Sequence, residues 1–89
     1  MPSVATIILN WNDSAATVRC GASVLRAFEH ASDQLTSQAL CIVDNGSLEQ
    51  HTSALENWCA AQKTGNVAFV ANSFNLGFAA GMNVGIERL

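Results

Sequence analysis

Ala39-Leu40-Cys41-Ile42-Val43-Asp44-Asn45-Gly46-Ser47 is a short, unbroken apolar run that ends in a turn signal. A run of this length, without polar alternation, reads as a strand buried on both faces, and Asn-Gly marks where it stops. Upstream, Val4-Ala5-Thr6-Ile7-Ile8-Leu9 has the same character and is rich in β-branched residues. Asn10-Trp11-Asn12-Asp13-Ser14 interrupts it and offers several N-cap candidates for a helix. Along that helix Val18, Ala22, Leu25 and Phe28 build one apolar stripe, and helical character fades through Ser32-Asp33.

Downstream, Ser47 with Gln50 and Ser53 with Glu56 form two possible capping boxes. The helix they open places Leu55, Trp58, Cys59 and Gln62 along one side, and Thr64-Gly65-Asn66 closes it. Val67-Ala68-Phe69-Val70-Ala71 is a third strand. A polar loop, Asn72-Ser73-Phe74-Asn75, leads into a glycine-punctuated helical segment from Leu76 to Leu89. The order β-α-β-α-β-α, with both-face-buried strands and helical crossovers, predicts an α/β fold. It is a three-layer α-β-α, Rossmann-like half with a mostly parallel sheet. No linker or repeat divides residues 1–89.

Composition narrows the function. Of 89 residues, 49% are hydrophobic and 12% charged, which excludes a disordered tail. A net charge of −3 gives no basic footprint for nucleic acid. No apolar run approaches the ~20 residues of a membrane span, and the start of the chain lacks the pattern of a secretory signal. Cys20, Cys41 and Cys59 are odd in number and widely spaced, so packing is expected of all three rather than disulfides or zinc.

In open parallel sheets, ligands bind beyond the carboxyl ends of the strands. Here those ends are Asn10-Trp11-Asn12, Asp44-Asn45-Gly46-Ser47 and Asn72 to Gly77. Asparagines, glycines and small hydroxyls without a single lysine or arginine suit a neutral, hydrogen-bonding ligand such as a nucleoside. Asp44 has two readings. Its carboxylate can accept from a ribose hydroxyl or a pyrimidine N3–H, or it can form an Asx-turn and cap the next helix. Gly77, Gly81 and Gly85 share one helix face, where close packing on a strand explains them as well as a ligand does. Trp11 reads as a base-stacking ring or a pocket wall, and Trp58 as core. His30 and His51 read as surface or internally satisfied histidines. No serine–histidine–acid set, paired carboxylates or P-loop can be assembled.

Three stretches together resemble a known family. Ile7 to Asn12, Val43 to Ser47 and Asn75 to Ile86 are similar, in order and spacing, to the N-terminal part of family 2 glycosyltransferases, the rhamnosyltransferase-like bacterial members above all. The resemblance implies a GT-A fold and sugar transfer from a nucleotide-sugar donor, of UDP or dTDP type, to a saccharide or lipid-linked acceptor. It implies a cytoplasmic setting, or the cytoplasmic face of the inner membrane, in bacterial cell-surface polysaccharide synthesis. Carried over, Leu9, Asn10 and Asn12 line the base pocket and Asp44, with Asn45 beside it, contacts the pyrimidine. The segment Asn75, Gly77 to Asn83 borders ribose and diphosphate.

The chain departs from the family where Leu48-Glu49 replaces Thr-Asp and Met82 replaces an arginine. The family's acidic metal motif, which holds Mg or Mn, and its catalytic base are expected beyond Leu89. The 89 residues are therefore expected to be the donor-binding part of a longer enzyme, inactive alone and able to self-associate through an unpaired sheet edge. The rival reading is a non-catalytic α/β module that binds a ligand or partner. A dinucleotide oxidoreductase is disfavoured because no glycine stands in the first turn.

Overall fold

The computed structural model describes residues 2–63 and 66–89. The elements are β1 (Ser3–Asn10), α1 (Ser14–His30), a single 3-10 turn (Ser32–Gln34), β2 (Ser37–Asn45), α2 (Glu49–Ala61), β3 (Val67–Asn72) and α3 (Phe78–Arg88). The three strands form one all-parallel sheet in the order β1-β2-β3, the Rossmann-like α/β arrangement that the apolar runs predict. The closing Thr64-Gly65 of the second helix lies outside the described residues.

Alternation along the strands separates two packing faces. Ile8, Ile42 and Phe69 are in register on the face covered by α1 and α2. With Leu40, Phe28, Leu55 and Cys59 they make the main core, and Trp58 packs against it. Ile7, Leu9 and Val43 point the other way, toward α3. That helix lies close because Gly81 and Gly85 have no side chain. A Cβ at Gly81 would stand 2.8 Å from Leu9 Cδ1, and one at Gly85 2.7 Å from Ile7 Cγ2. Close helix–sheet packing thus accounts for two of the three glycines in the series.

Burial on both faces holds only for the central strand. Leu40 to Asn45 are all buried, whereas Val4 and Ala5 of β1 are exposed and Ile7 to Leu9 are half-buried. The reason is position: among the described residues β1 and β3 are sheet edges, and only β2 has strands on both sides.

Several local expectations are corrected. The strands extend further than their apolar runs, so Asn10, Asp44, Asn45 and Asn72 sit within strands rather than after them. Neither capping box forms. α2 begins after Leu48 with no side-chain cap; the Ser47 hydroxyl is engaged with Asp44, and Ser53 lies inside the helix. Asp13 caps α1, accepting from Ala16 N–H at 3.2 Å. The third helix starts at Phe78 rather than Leu76, because Gly77, at φ 83° and ψ 170°, is not helical. Cys41 and Cys59 are buried as expected, but Cys20 is exposed, since Thr17, Gly21 and Phe28 form the inward side of α1.

Candidate functional site

Asp44 and Asn45 are consecutive in β2, so their side chains leave opposite faces of the sheet. Each is the centre of a polar network at the carboxyl ends of the strands. Both are almost wholly buried, Asp44 at 1% exposure and Asn45 at 2%.

On the α1–α2 face, Asp44 stands in register with Asn10 of β1. Asn10 Nδ2 donates to Asp44 Oδ1 at 3.0 Å and to Ser47 Oγ at 3.2 Å, and Asn10 Oδ1 accepts from the Thr17 hydroxyl at 2.5 Å. The other Asp44 donors are Ser47 Oγ (2.5 Å to Oδ1), Thr52 Oγ1 (2.6 Å to Oδ2) and Ser47 N–H (3.4 Å to Oδ2). Burial pushes the Asp44 pKa up. The hydrogen bonds from Ser47, Thr52 and Asn10 outweigh it and hold the carboxyl below its ordinary value. The ionised group therefore ties β1, β2, the β2–α2 turn and α2 together.

Asn12 extends this network. It sits at φ 53°, a left-handed conformation that asparagine tolerates. Its N–H donates to Ser47 Oγ at 2.7 Å, and its Oδ1 accepts from Leu48 N–H, also at 2.7 Å, which satisfies an N–H at the uncapped start of α2. Beside it, His51 Nδ1 lies 3.2 Å from Ser14 N–H and 2.9 Å from Ser14 Oγ. A backbone N–H can only donate, so Nδ1 accepts and the ring proton sits on Nε2. His51 is thus an internally satisfied histidine that joins the start of α1 to the start of α2. The pairing with Ser14 is not legible in sequence, because the two residues are 37 positions apart.

On the α3 face, Asn45 uses both ends of its amide. Its Nδ2 donates to Asn75 Oδ1 at 3.1 Å and to Gly77 O at 3.2 Å, while Oδ1 accepts from Asn72 Nδ2 at 3.2 Å and Leu76 N–H at 3.0 Å. Asn75 Oδ1 also accepts from Gly77 N–H at 2.7 Å. Gly46, at φ 81°, lets the β3–α3 loop lie on it, since a Cβ there would overlap the Phe74 backbone.

The expected site residues other than Asn83 therefore gather at one end of the sheet but divide by depth; Asn83 lies midway along α3, two residues from both Gly81 and Gly85, on the side turned from the sheet. Asn10, Asp44 and Asn45 form a buried layer, and Leu9 and Asn12 are half-buried above it. Asn75, Gly77 and Asn83 are exposed. Of the two readings of Asp44, the turn-forming one is directly visible, since the residue accepts from Ser47 N–H and from the α2 residue Thr52. Among the described residues no buried side-chain polar atom lacks a partner. Ligand contacts must come from the rim or by exchange of a hydroxyl.

The rim at this end is concave beside the end of β1. A recess of about 320 Å³ is lined by Leu9, Asn10, Trp11, Asp13, Thr17 and Cys20. Trp11 is 57% exposed and supplies its aromatic wall. A larger recess of about 440 Å³, between Phe28, Arg26, Gln38 and Gln62, lies where β2 begins and α2 ends, away from both polar networks.

No protein family, curated protein or solved structure matches this chain. Among the described residues no helix is long and apolar enough to cross a membrane. No three histidine, cysteine or acidic side chains among them come together as a metal-holding group.

Proposed function

We propose that this chain is the donor-binding N-terminal part of a glycosyltransferase of the family 2 type. It takes a UDP- or dTDP-sugar and serves transfer to a saccharide or lipid-linked acceptor, in bacterial cell-surface polysaccharide synthesis at the cytoplasmic side of the membrane. The observation that carries this reading is the Trp11 recess. It sits at the carboxyl end of β1, over Leu9 and Asn10, beside a polar layer that contains no lysine or arginine. An exposed indole offers a stacking face to a base, an interaction of about 1–3 kcal/mol. The half-buried Asn12 stands next to it.

Asp44 enters the proposal with a condition. Contact with a pyrimidine N3–H requires the Thr52 or Ser47 hydroxyl to turn away from the carboxylate, which a hydroxyl rotor can do. Asn75, Gly77 and Asn83 belong to the same proposal as the border of ribose and diphosphate. A divalent ion, Mg or Mn, serves such a transfer, but the residues here do not fit one: both Asp44 oxygens are occupied by donors from this chain.

Calorimetric titration with UDP, dTDP and ADP tests the reading. The pyrimidine nucleotides are expected to bind more tightly than ADP, and Trp11→Ala to weaken them about tenfold. Equal binding of all three, or none, overturns it. A second reading, a non-catalytic α/β binding module, is favoured by one observation. The polar layer is satisfied by its own chain, as expected where it serves folding alone.

A further inference from the structure

Trp11 shares its recess with a carboxylate that the buried network does not use. Asp13 lines the same concave surface and is the one charged side chain on it. It is exposed, whereas Asp44 is almost wholly buried. Asp13 Oδ1 accepts from Ala16 N–H at 3.2 Å, which caps α1 and ties the carboxylate to the helix. Its Oδ2 has no hydrogen-bond or ion-pair partner among the described residues. The other polar side chains of the recess, Asn10 and Thr17, are bonded to each other. The free acceptor that the recess offers an occupant is therefore Asp13 Oδ2.

We infer that Asp13 is the specificity-determining carboxylate of the Trp11 recess, accepting from the N3–H of a uracil or thymine stacked on the indole. This rests on the pyrimidine-nucleotide reading above and names the residue that selects the base. An ionised carboxylate is acceptor-only, so it favours a base edge that presents an N–H. Uracil and thymine carry a hydrogen on N3, whereas cytosine has a lone pair there and would face the carboxylate with it. Bases held on an aromatic face are told apart by hydrogen bonds to that edge, since stacking itself is tolerant of base identity. Asp44 reaches a ligand only after a Ser47 or Thr52 hydroxyl turns away, and Asp13 requires no such change.

Calorimetric titration of the 89-residue chain and of Asp13→Asn with UDP and CDP is the test. Asparagine caps a helix as well as aspartate does, so the substitution keeps an acceptor for Ala16 N–H. It replaces the free Oδ2 acceptor with an Nδ2 donor, and circular dichroism checks that the variant folds. The wild type is expected to bind UDP about tenfold or more tightly than CDP, and Asp13→Asn to lower that ratio about tenfold or more. 3-Methyluridine diphosphate, whose N3 carries a methyl in place of the hydrogen, tests the same contact without a variant and should bind the wild type about tenfold more weakly than UDP. A UDP-to-CDP ratio unmoved by Asp13→Asn, or equal binding of UDP and its 3-methyl analogue, overturns the assignment of Asp13. Equal weakening of UDP and CDP by Asp13→Asn also overturns it, because the carboxylate then meets the ribose. In each of these cases UDP binding that Trp11→Ala weakens leaves the donor-binding reading standing, whereas a wild type that binds no UDP overturns both.

Discussion

Asn10 donates to Asp44 across neighbouring parallel strands at 3.0 Å, and both carboxylate oxygens also accept from Ser47 or Thr52. The two residues are 34 apart in sequence and opposite each other in register. Their bond makes the carboxyl end of the sheet a rigid floor beneath the proposed nucleoside site.

Removing the carboxylate should therefore act on stability before it acts on binding. Asp44→Ala leaves the amide of Asn10 and the hydroxyls of Ser47 and Thr52 without their acceptor and is expected to cost about 3 kcal/mol. Thr52→Val, which deletes one donor at nearly constant volume, should cost about 1 kcal/mol. Urea denaturation followed by circular dichroism measures both. Asp44→Ala with wild-type stability would show that the network contributes nothing.

The same carboxylate sets an acid limit. Burial raises its pKa, but the Ser47, Thr52 and Asn10 hydrogen bonds prevail, so the folded state holds the proton less tightly than the unfolded chain. The stabilisation is complete above the ordinary carboxylate value of about 4 and is lost as pH falls through the lower folded pKa. Thermal melts of the wild type should drop over that window, and those of Asp44→Asn should drop less. Parallel curves would rule Asp44 out as the source.

Gly46 and Gly77 both have positive φ, 81° and 83°, in different surroundings. A Cβ at Gly46 meets the Phe74 backbone, whereas one at Gly77 meets nothing. Gly77, with ψ at 170°, lies in an extended positive-φ region that glycine alone adopts readily, so Gly77→Ala should carry only that backbone strain, about 1–3 kcal/mol. Gly46→Ala should exceed it by a further 1–3 kcal/mol, from overlap that must displace the β3–α3 loop. Equal losses in denaturant melts would mean that the loop does not rest on Gly46.

The three cysteines should separate by reactivity. Burial raises the Cys59 pKa to about 11, with the Cys41 thiol adding to it. Cys41 is also pushed up by burial, partly offset by Arg88. Cys20 is exposed. Brief maleimide treatment of the folded chain near neutral pH should give a single adduct, mapped to Cys20, and denaturation should release the other two. Rapid modification of Cys41 or Cys59 in the folded chain would contradict the packing of β2 or α2.

Much of this arrangement is legible in the residues alone. Ala39 to Val43, Val4 to Leu9 and Val67 to Ala71 announce strands because uninterrupted β-branched and apolar runs have no stable place except inside a sheet. The stripe of Val18, Ala22, Leu25 and Phe28 announces the helix between them, and the alternation of the two periods makes the sheet parallel. The same reading finds the three polar strand ends, because asparagine and glycine are turn chemistry wherever they fall.

What a residue does at those ends is another matter. Ser47 and Gln50 match a capping box, yet the Ser47 hydroxyl serves Asp44, Asn10 and Asn12, whose nearness depends on strand register. Ser14 and His51 meet only because two crossovers bring two helix starts side by side. Local sequence therefore determined which segments are strands and helices, since hydrophobic period and backbone propensity act over a few residues. The tertiary structure alone decided the rest: β1 at an edge of the described sheet, which helices Asp44 and Asn45 each meet, and a partner for every buried side-chain polar atom among the described residues. Those outcomes depend on which distant groups share a face, and hydrogen bonds are settled by proximity in space.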